Sequence, residues 1–348
     1  MKQSLLDEFT SQVEKYDGKL DHASLLKGHS VGIEVANEHQ TIVPLKPLLE
    51  DAAFRESEAA LPVAIGRGAQ GIPKVIDLAK APHILMAGAT KQGKTTAVNS
   101  LILSLLYSRT PDEVKFVLID PKDFDLKAYR SLDAEYVATL PGEEGKSVLT
   151  TAEEAEKVLH SLCLELENRY CALARAKVND IRKYNAKAEE GEKMPYIVVV
   201  IDEYSDLLPV AGRDVKSRKI RRAILIHIVG LAQKGRAAGI HLVITTQRPS
   251  PEVILGVIKA NIPIRMAFRV ASKQDSYTII DLPGAERLIG NGDMIFDDGG
   301  EMTRIQGAYV EGGDIDAVIR SICSRQRCGA PYCLPPVEDA GAEISGSF

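Results

Sequence analysis

Eight residues, Gly88-Ala89-Thr90-Lys91-Gln92-Gly93-Lys94-Thr95, place two glycines, a lysine and a hydroxyl in the spacing G-x-x-x-x-G-K-[ST]. Glycine at 88 and 93 lets the backbone approach a polyphosphate and turn sharply, where a side chain would obstruct it. Successive backbone N–H groups of this loop, and the positive end of a helix opened by Thr96, then face the phosphates. Gly88, Ala89, Thr90, Lys91, Gln92, Gly93, Lys94, Thr95 and Thr96 are therefore the candidate nucleotide-binding residues. Lys94 is placed to reach the β- and γ-phosphates, and the Thr95 hydroxyl to hold Mg²⁺. A glycine-containing surface turn would give the same composition, so the flanks decide. An apolar run, His83-Ile84-Leu85-Met86-Ala87, precedes the loop and a helix-like segment, Thr96 to Tyr107, follows it. Strand before and helix after is the context that phosphate binding requires, and the expected ligands are ATP and Mg²⁺.

A second chemical cluster ends the apolar run Ile197-Val198-Val199-Val200-Ile201 with Asp202 and Glu203. A buried strand delivers such carboxylates to its C-terminal tip, where ligands bind in open α/β sheets. Asp202 fits a residue that orients Mg²⁺ through water, and Glu203 one that polarises the attacking water. A strand ending in Asp-Glu can also simply cap a helix, but a phosphate loop upstream makes the chemical role the better account. Thr245-Thr246-Gln247 ends another apolar strand, so Gln247 points to the same edge, to sense the γ-phosphate or position water, unless it is only a polar strand cap. Lys234-Gly235-Arg236 precedes that strand on a helix-like segment, where an isolated arginine reads as a solvated charge.

The elements that must hold these residues follow from periodicity. From Leu61 to about Arg269 continuous apolar runs alternate with helical patterns, which argues a mainly parallel sheet covered by helices, an α/β fold. The expected core strands are His83–Ala87, Lys115–Ile119, Tyr196–Ile201, Ile240–Thr245 and Ile264–Arg269, each apolar throughout as strands buried on both faces should be. Thr151 to Lys187 reads as helix, and 292–310 as a terminal hairpin turning at Asp298-Gly299-Gly300. Ahead of this core, Met1 to about Glu50 holds two amphipathic pieces and a strand at Ser30–Val35, and a charged linker follows to Ala60. The tail after Gln326 carries Pro, Gly and Ser throughout.

The chain has 348 residues, 45% of them hydrophobic and 26% charged, enough for a large core. Met1 to Leu20 is polar, without a signal-peptide core, and no apolar run approaches the ~18 to 20 residues that span a bilayer, so a cytoplasmic location is expected. Five cysteines are too few and too dispersed for a disulfide framework. Cys163 and Cys171 read as core or boundary positions on a helix, and Cys323, Cys328 and Cys333 lack the spacing of a zinc knuckle. A net charge of −5, from 43 basic and 48 acidic residues, does not mark a nucleic-acid binder. It does not exclude one either, because only charge within a Debye length of ~8 Å of the phosphates matters.

Together these signals resemble the FtsK/SpoIIIE family of DNA translocases over roughly Gly28 to Gly312. The resemblance rests on Val31-Gly32-Ile33-Glu34-Val35-Ala36-Asn37, Asp77-Leu78-Ala79-Lys80-Ala81-Pro82-His83, Ile119-Asp120-Pro121-Lys122 and the helix Glu165 to Asn185. It continues through Leu231-Ala232-Gln233-Lys234-Gly235-Arg236-Ala237-Ala238-Gly239-Ile240-His241-Leu242 and Thr246-Gln247-Arg248-Pro249-Ser250. Ile258-Lys259-Ala260-Asn261-Ile262-Pro263 and Ser272-Lys273-Gln274-Asp275-Ser276 complete it. It implies a RecA-like P-loop ATPase core that works as a homo-hexameric ring moving double-stranded DNA during chromosome segregation and cell division. By resemblance, Arg236 is an arginine finger inserted into the neighbouring subunit's ATP site, worth ~10³ to 10⁵ in rate. Arg248 and Lys273 fall on pore loops that touch the DNA backbone. The implied organisation is a truncated pore-domain remnant and linker over 1–60, a motor over 61–325 and a tail over 326–348. The anchor and winged-helix module usual in the family would lie outside this chain, in a longer protein at the inner membrane or division septum.

Three departures stand out. Lys91-Gln92 occupies loop positions where the family has small or hydroxyl-bearing residues, and Tyr277 a position that is commonly basic. Between Asp206 and Leu231 the chain is longer than usual, and Arg213, Lys216, Arg218, Lys219, Arg221 and Arg222 stand there against Asp214, as a solvated loop or a phosphate contact. A peptide-translocating ATPase of the type VII secretion kind shares the same core and is the alternative reading. A nucleotide switch without motor activity is disfavoured by the paired Asp202-Glu203, since a switch needs no dedicated base.

Overall fold

The computed structural model describes residues 20–25, 31–35, 41–68, 71–132, 134–143, 145–208, 214–300, 302–324 and 331–337. The chain divides into two compact units, 1–42 and 43–348. In the first, β1 (Leu20–Leu25) pairs antiparallel with β2 (Val31–Val35), Leu25 opposite Val31. The expected strand at Ser30–Val35 is β2.

The second unit is built on one ten-stranded sheet. Its strands are β3 (Pro62–Arg67), β4 (Pro73–Asp77), β5 (His83–Ala87), β6 (Val114–Ile119), β8 (Val148–Leu149), β9 (Tyr196–Ile201), β10 (Ile240–Thr246), β11 (Ile264–Phe268), β12 (Asp293–Asp297) and β13 (Met302–Gly307). They lie in the order β4-β3-β13-β12-β11-β5-β10-β9-β6-β8. From β11 to β8 all pairings are parallel; from β11 to β4 all are antiparallel. The five expected core strands are therefore the contiguous central block, and the expected terminal hairpin is β12–β13, which extends the sheet outward from β11.

Side chains alternate between the two faces of a strand, so a strand buried on both sides feeds two cores. Val198 and Val200 of β9 enter one core with Leu101, Leu105 and Ile319. Ile197, Val199 and Ile201 enter the other with Leu159, Leu162, Ile224 and Ile228. Helices Lys94–Ser108 and Gly312–Cys323 thus cover one face, and helices Ala152–Arg175 and Val215–Ala238 the other. Thr151 and Glu154 form a capping box that starts the Ala152–Arg175 helix. The buried Arg169 joins this face together: Nε donates to Glu165 at 2.7 Å, and Nη1 to the carbonyls of Pro195 at 2.8 Å and Ala238 at 2.9 Å.

Expectations change for the linker, the basic run and Cys171. The stretch from about Glu50 to Ala60, read as a charged linker, is folded with the residues before it against the sheet: Leu45, Leu48, Leu49 and Phe54 are buried on the short helices Leu45–Glu50 and Ala52–Arg55. Exposed charges at Glu50, Arg55, Glu56 and Glu58 hide the i, i+3, i+4 leucine spacing in the sequence. The basic run after Asp206, read as a loop, is the first two turns of the Val215–Ala238 helix, capped by Asp214 accepting from the Ser217 N–H at 2.7 Å; Arg213 lies outside the described residues. Part of the tail docks: β14 (Tyr332–Cys333) pairs parallel with β7 (Ala138–Thr139), Leu334 is buried, and Tyr332 donates to Glu165 at 2.6 Å. Cys171 is exposed rather than at a core boundary, Cys323 and Cys333 are exposed, and Cys328 lies outside the described residues.

Candidate active site

The loop Gly88–Gly93 leaves the end of β5 and opens into the Lys94–Ser108 helix. It is gripped from three sides. The Gly88 N–H donates to the Thr246 carbonyl at 3.4 Å, the Ala89 N–H to Arg269 at 2.8 Å, and the Gln92 carbonyl accepts from the Gly292 N–H at 3.0 Å. Gly93 caps the helix at φ 111°, where an added Cβ would stand 2.7 Å from the Gly292 Cα. At Gly88 a Cβ would meet the Phe268 Cβ at 2.6 Å. Both glycines are thus fixed by close approach as well as by turning. Of the two loop residues that depart from the expected pattern, Lys91 is exposed and Gln92 folds onto its own loop, donating to the Thr90 carbonyl at 3.2 Å.

Lys94 is buried, and its Nζ donates to the carbonyls of Gly88 and Ala89, both at 2.7 Å. Burial lowers its pKa to about 8, against the pull of the Glu203 and Asp202 charges. A cation buried against two carbonyls, with two carboxylates acting on it, is suited to receive phosphate oxygens.

Asp202 and Glu203 follow β9, which is separated from β5 by β10, so the end of β10 passes between the loop and the carboxylates. Thr245 donates to Asp202 Oδ1 at 2.5 Å and accepts from the Glu203 N–H at 3.1 Å. Burial pushes the Asp202 carboxyl up to about 7, with the charges of Asp125 and Asp120 adding to it and the Thr245 hydrogen bond opposing. Glu203 sits at φ 45°, in the left-handed region. Its Oε1 accepts from Ser205 at 2.6 Å, the Gln247 N–H at 3.0 Å and Thr246 at 3.1 Å, and its Oε2 lies 3.4 Å from Lys122 Nζ. Burial pushes Glu203 up, but these hydrogen bonds and the Lys122 charge outweigh it and hold the carboxyl below the usual range.

Gln247, also expected here, accepts from the Thr90 hydroxyl at 2.8 Å, so it joins the phosphate loop directly to the tip of β10. The structure adds Lys122 and Asp125, from the loop after β6. Asp120 shapes that loop by accepting four backbone N–H groups, from Lys122, Asp123, Phe124 and Leu126, at 2.9–3.1 Å. The sequence signal for Lys122 was its place just past the end of an apolar strand, the same rule that found Asp202. Thr245 gave none, because its role depends on β10 lying beside β9.

Arg236 is not at this site. It lies two residues before the C-terminal end of its helix, and β10 then runs its seven residues back to the loop edge. At ~3.3 Å per residue this puts Arg236 about 20 Å away, at the opposite edge of the sheet. Arg248 and Lys273 follow the C-terminal ends of β10 and β11, on the phosphate-loop edge, and both are exposed. Tyr277 is 45% exposed on the same helix as Lys273.

The parallel sheet, the glycine-gripped phosphate loop and the strand-end Asp-Glu pair define a P-loop nucleoside triphosphatase. The FtsK/SpoIIIE family model matches residues 44–251, and the chain belongs to that family. It is 42% identical over 323 residues to the DNA translocase FtsK of Chlorobaculum tepidum, covering 92% of this chain and 39% of that one. It is 43% identical over 302 residues to the DNA translocase SftA of Bacillus subtilis, covering 85% of this chain and 30% of that one. The chain thus spans well under half the length of these curated relatives. Among solved structures, the conjugation coupling protein TcpA in its monomer form with ATPγS superposes with a TM-score of 0.72 at 26% identity, over 92% of this chain and 86% of that one. The type VII secretion ATPase EccC of Thermomonospora curvata shares the fold, with a TM-score of 0.65 at 23% identity over 86% of this chain and 36% of that one. Among the described residues no helix is long and apolar enough to cross a membrane.

The residues fit Mg²⁺ as well as nucleotide. The buried Asp202 carboxyl, with the charges of Asp125 and Asp120 acting on it, makes a hard-oxygen site. Thr95 and Asp202 would hold the ion, and when bound it neutralises charge on the β- and γ-phosphates.

Proposed function

We propose that this chain is the motor of an ATP-driven double-stranded DNA translocase that acts in chromosome segregation within a longer, membrane-anchored protein. One observation carries the reading. Gln247 is tied to the phosphate loop through Thr90 and to Glu203 through its own N–H, and the next residue, Arg248, is exposed on the same edge. A change at the γ-phosphate is therefore one residue from a basic side chain able to touch DNA phosphates.

In this mechanism Lys94 leaves the loop carbonyls for the β- and γ-phosphates, and the loop N–H groups bind the rest of the chain of phosphates. Glu203, kept ionised by its hydrogen bonds, accepts the proton of the attacking water, and Gln247 orients that water or reads the γ-phosphate. Arg236, remote from its own site, completes the site of the next subunit in a ring. Peptide transport is the alternative for this core, and DNA stimulation separates the two.

Stimulation of ATP hydrolysis by duplex DNA, single strands and peptide tests the substrate directly, and duplex DNA is expected to stimulate most. Duplex affinity should fall with salt and be indifferent to sequence. Each phosphate neutralised contributes about −0.9 to the slope of log K against log salt. Arg248→Ala and Lys273→Ala should each flatten that slope by about one unit and leave ATP binding intact. A slope unchanged in both would move the DNA path to the basic turns around Lys216 to Arg222.

A further inference from the structure

Away from the phosphate loop, the two long helices that pack side by side on one face of the sheet carry a second group of ligating side chains. Glu156 and His160 stand one turn apart on the Ala152–Arg175 helix, and His227 faces them from the Val215–Ala238 helix. One ligand atom from each lies within 4.8 Å of the others. His227 Nε2 is 3.5 Å from Glu156 Oε1, with the two side chains 16% and 26% exposed. The imidazoles of His160 and His227 are stacked, 5.1 Å between centroids and 10° between planes. On the other side of His227, Nδ1 lies 3.6 Å from the Cys163 sulfur.

We propose that Glu156, His160 and His227 form a binding site for a divalent transition ion of the zinc type that clips the two helices together. Several observations converge on it. Ligand atoms held by one ion at ~2.0–2.2 Å stand roughly 3.4 Å apart, so the group needs only side-chain rotation to close. Two imidazoles and a carboxylate form a donor set that suits zinc and is too nitrogen-rich for Mg²⁺ or Ca²⁺. The i, i+4 spacing puts Glu156 and His160 on one helix face, and the third donor comes from a different element, so binding bridges two elements. Cys163 is an outer partner. Its sulfur beside Nδ1 orients the ring whose Nε2 points to the site.

Zinc titration of the whole chain, in excess Mg²⁺ to occupy the phosphate-loop site, should show one saturable equivalent by competition with a chromophoric chelator. His160→Gln and His227→Gln should each weaken that equivalent by more than the roughly 10- to 100-fold that loss of an outer partner costs, and Cys163→Ser by no more than that. Far-UV circular dichroism and ATP binding at the wild-type level report that each variant is folded. Co²⁺ in place of zinc should give visible d–d bands without a thiolate charge-transfer band. In the unaltered chain zinc should protect His160 and His227 from diethyl pyrocarbonate, read by mass spectrometry, a measurement that needs no variant. No saturable equivalent below millimolar zinc, unprotected histidines, or binding indifferent to both substitutions would overturn the site. A thiolate band lost in Cys163→Ser would overturn the three-donor set.

Discussion

Asp202 and Glu203 are neighbours in sequence but occupy opposite electrostatic surroundings. Asp202 is buried among carboxylates and pushed up to about 7, whereas Glu203 is held down by three hydrogen-bond donors and Lys122. Two carboxyl groups driven apart in this way take different roles, one waiting for a cation and one ready to accept a proton. The left-handed backbone at Glu203, which costs on the order of 1–3 kcal/mol in a non-glycine residue, turns its side chain under the end of β10. It follows that Lys94→Ala should abolish tight ATP binding, because Lys94 meets the ground-state phosphates. Glu203→Gln should instead preserve binding and cut turnover by about 10²- to 10⁴-fold, the range of a lost general base. Equilibrium nucleotide binding and steady-state hydrolysis distinguish the two, and near-normal turnover in Glu203→Gln would remove the base assignment.

At the scale of elements, the phosphate loop is stiff because it is wedged between β10, β11 and the Gly290-Asn291-Gly292 turn. Gly93→Ala tests that wedge against a matched control. Gly191 also has positive φ, 102°, but an added Cβ there meets nothing within 4 Å. Both substitutions pay about 1–2 kcal/mol for the left-handed backbone. Only Gly93→Ala also drives a methyl into Gly292, so it should lose ATP affinity as well as stability, while Gly191→Ala keeps its affinity. Thermal melts with ATP titrations on both variants check this, and equal affinities would mean the loop is not braced by the turn.

For the molecule as a whole, the placement of Arg236 about 20 Å from its own phosphate loop turns one residue into a statement about assembly. Arg236→Ala and Lys94→Ala subunits should each be inactive alone, and mixing them should recover part of the DNA-stimulated turnover, since a mixed interface can pair an intact loop with an intact arginine. An Arg236→Ala protein with undiminished turnover would remove the finger. Global stability carries its own signature. Burial lowers His83 to about 3 and His241 to about 4, each affected further by its neighbours, and both are neutral in the fold. Their folded values lie below the unfolded 6.5, so the stability they contribute is full above pH 6.5 and is lost as pH falls toward 4. Asp202, raised to about 7, has the opposite sign, because in this window its native carboxyl already holds a proton that the unfolded one has released. Two histidines outweigh one carboxyl, so urea stability should fall as pH drops from 6 to 4.5. A flat profile there would mean the buried histidines are not neutral ligands of the fold.

The chain itself determined the parts whose meaning is local. Gly88 to Thr95 needs only a strand before it and a helix after it, and five apolar runs announce five buried strands, because phosphate binding and two-faced burial leave their marks on consecutive residues. Those strands and the positions of Asp202, Glu203 and Gln247 were legible for that reason. Strand order was not. That β10 lies between β5 and β9, and β6 on the other side of β9, is a matter of pairing across the sheet; the first makes Thr245 a partner of Asp202 and joins Gln247 to Thr90, and the second brings Lys122 to Glu203. The folding of 43–60 onto the sheet and the docking of Tyr332–Cys333 beside β7 were hidden likewise, since exposed charges and prolines dominate those stretches and the buried side chains are few. Tertiary structure decided which separated residues meet, because the free energy of burying them is shared among elements far apart in the chain and no single segment records it.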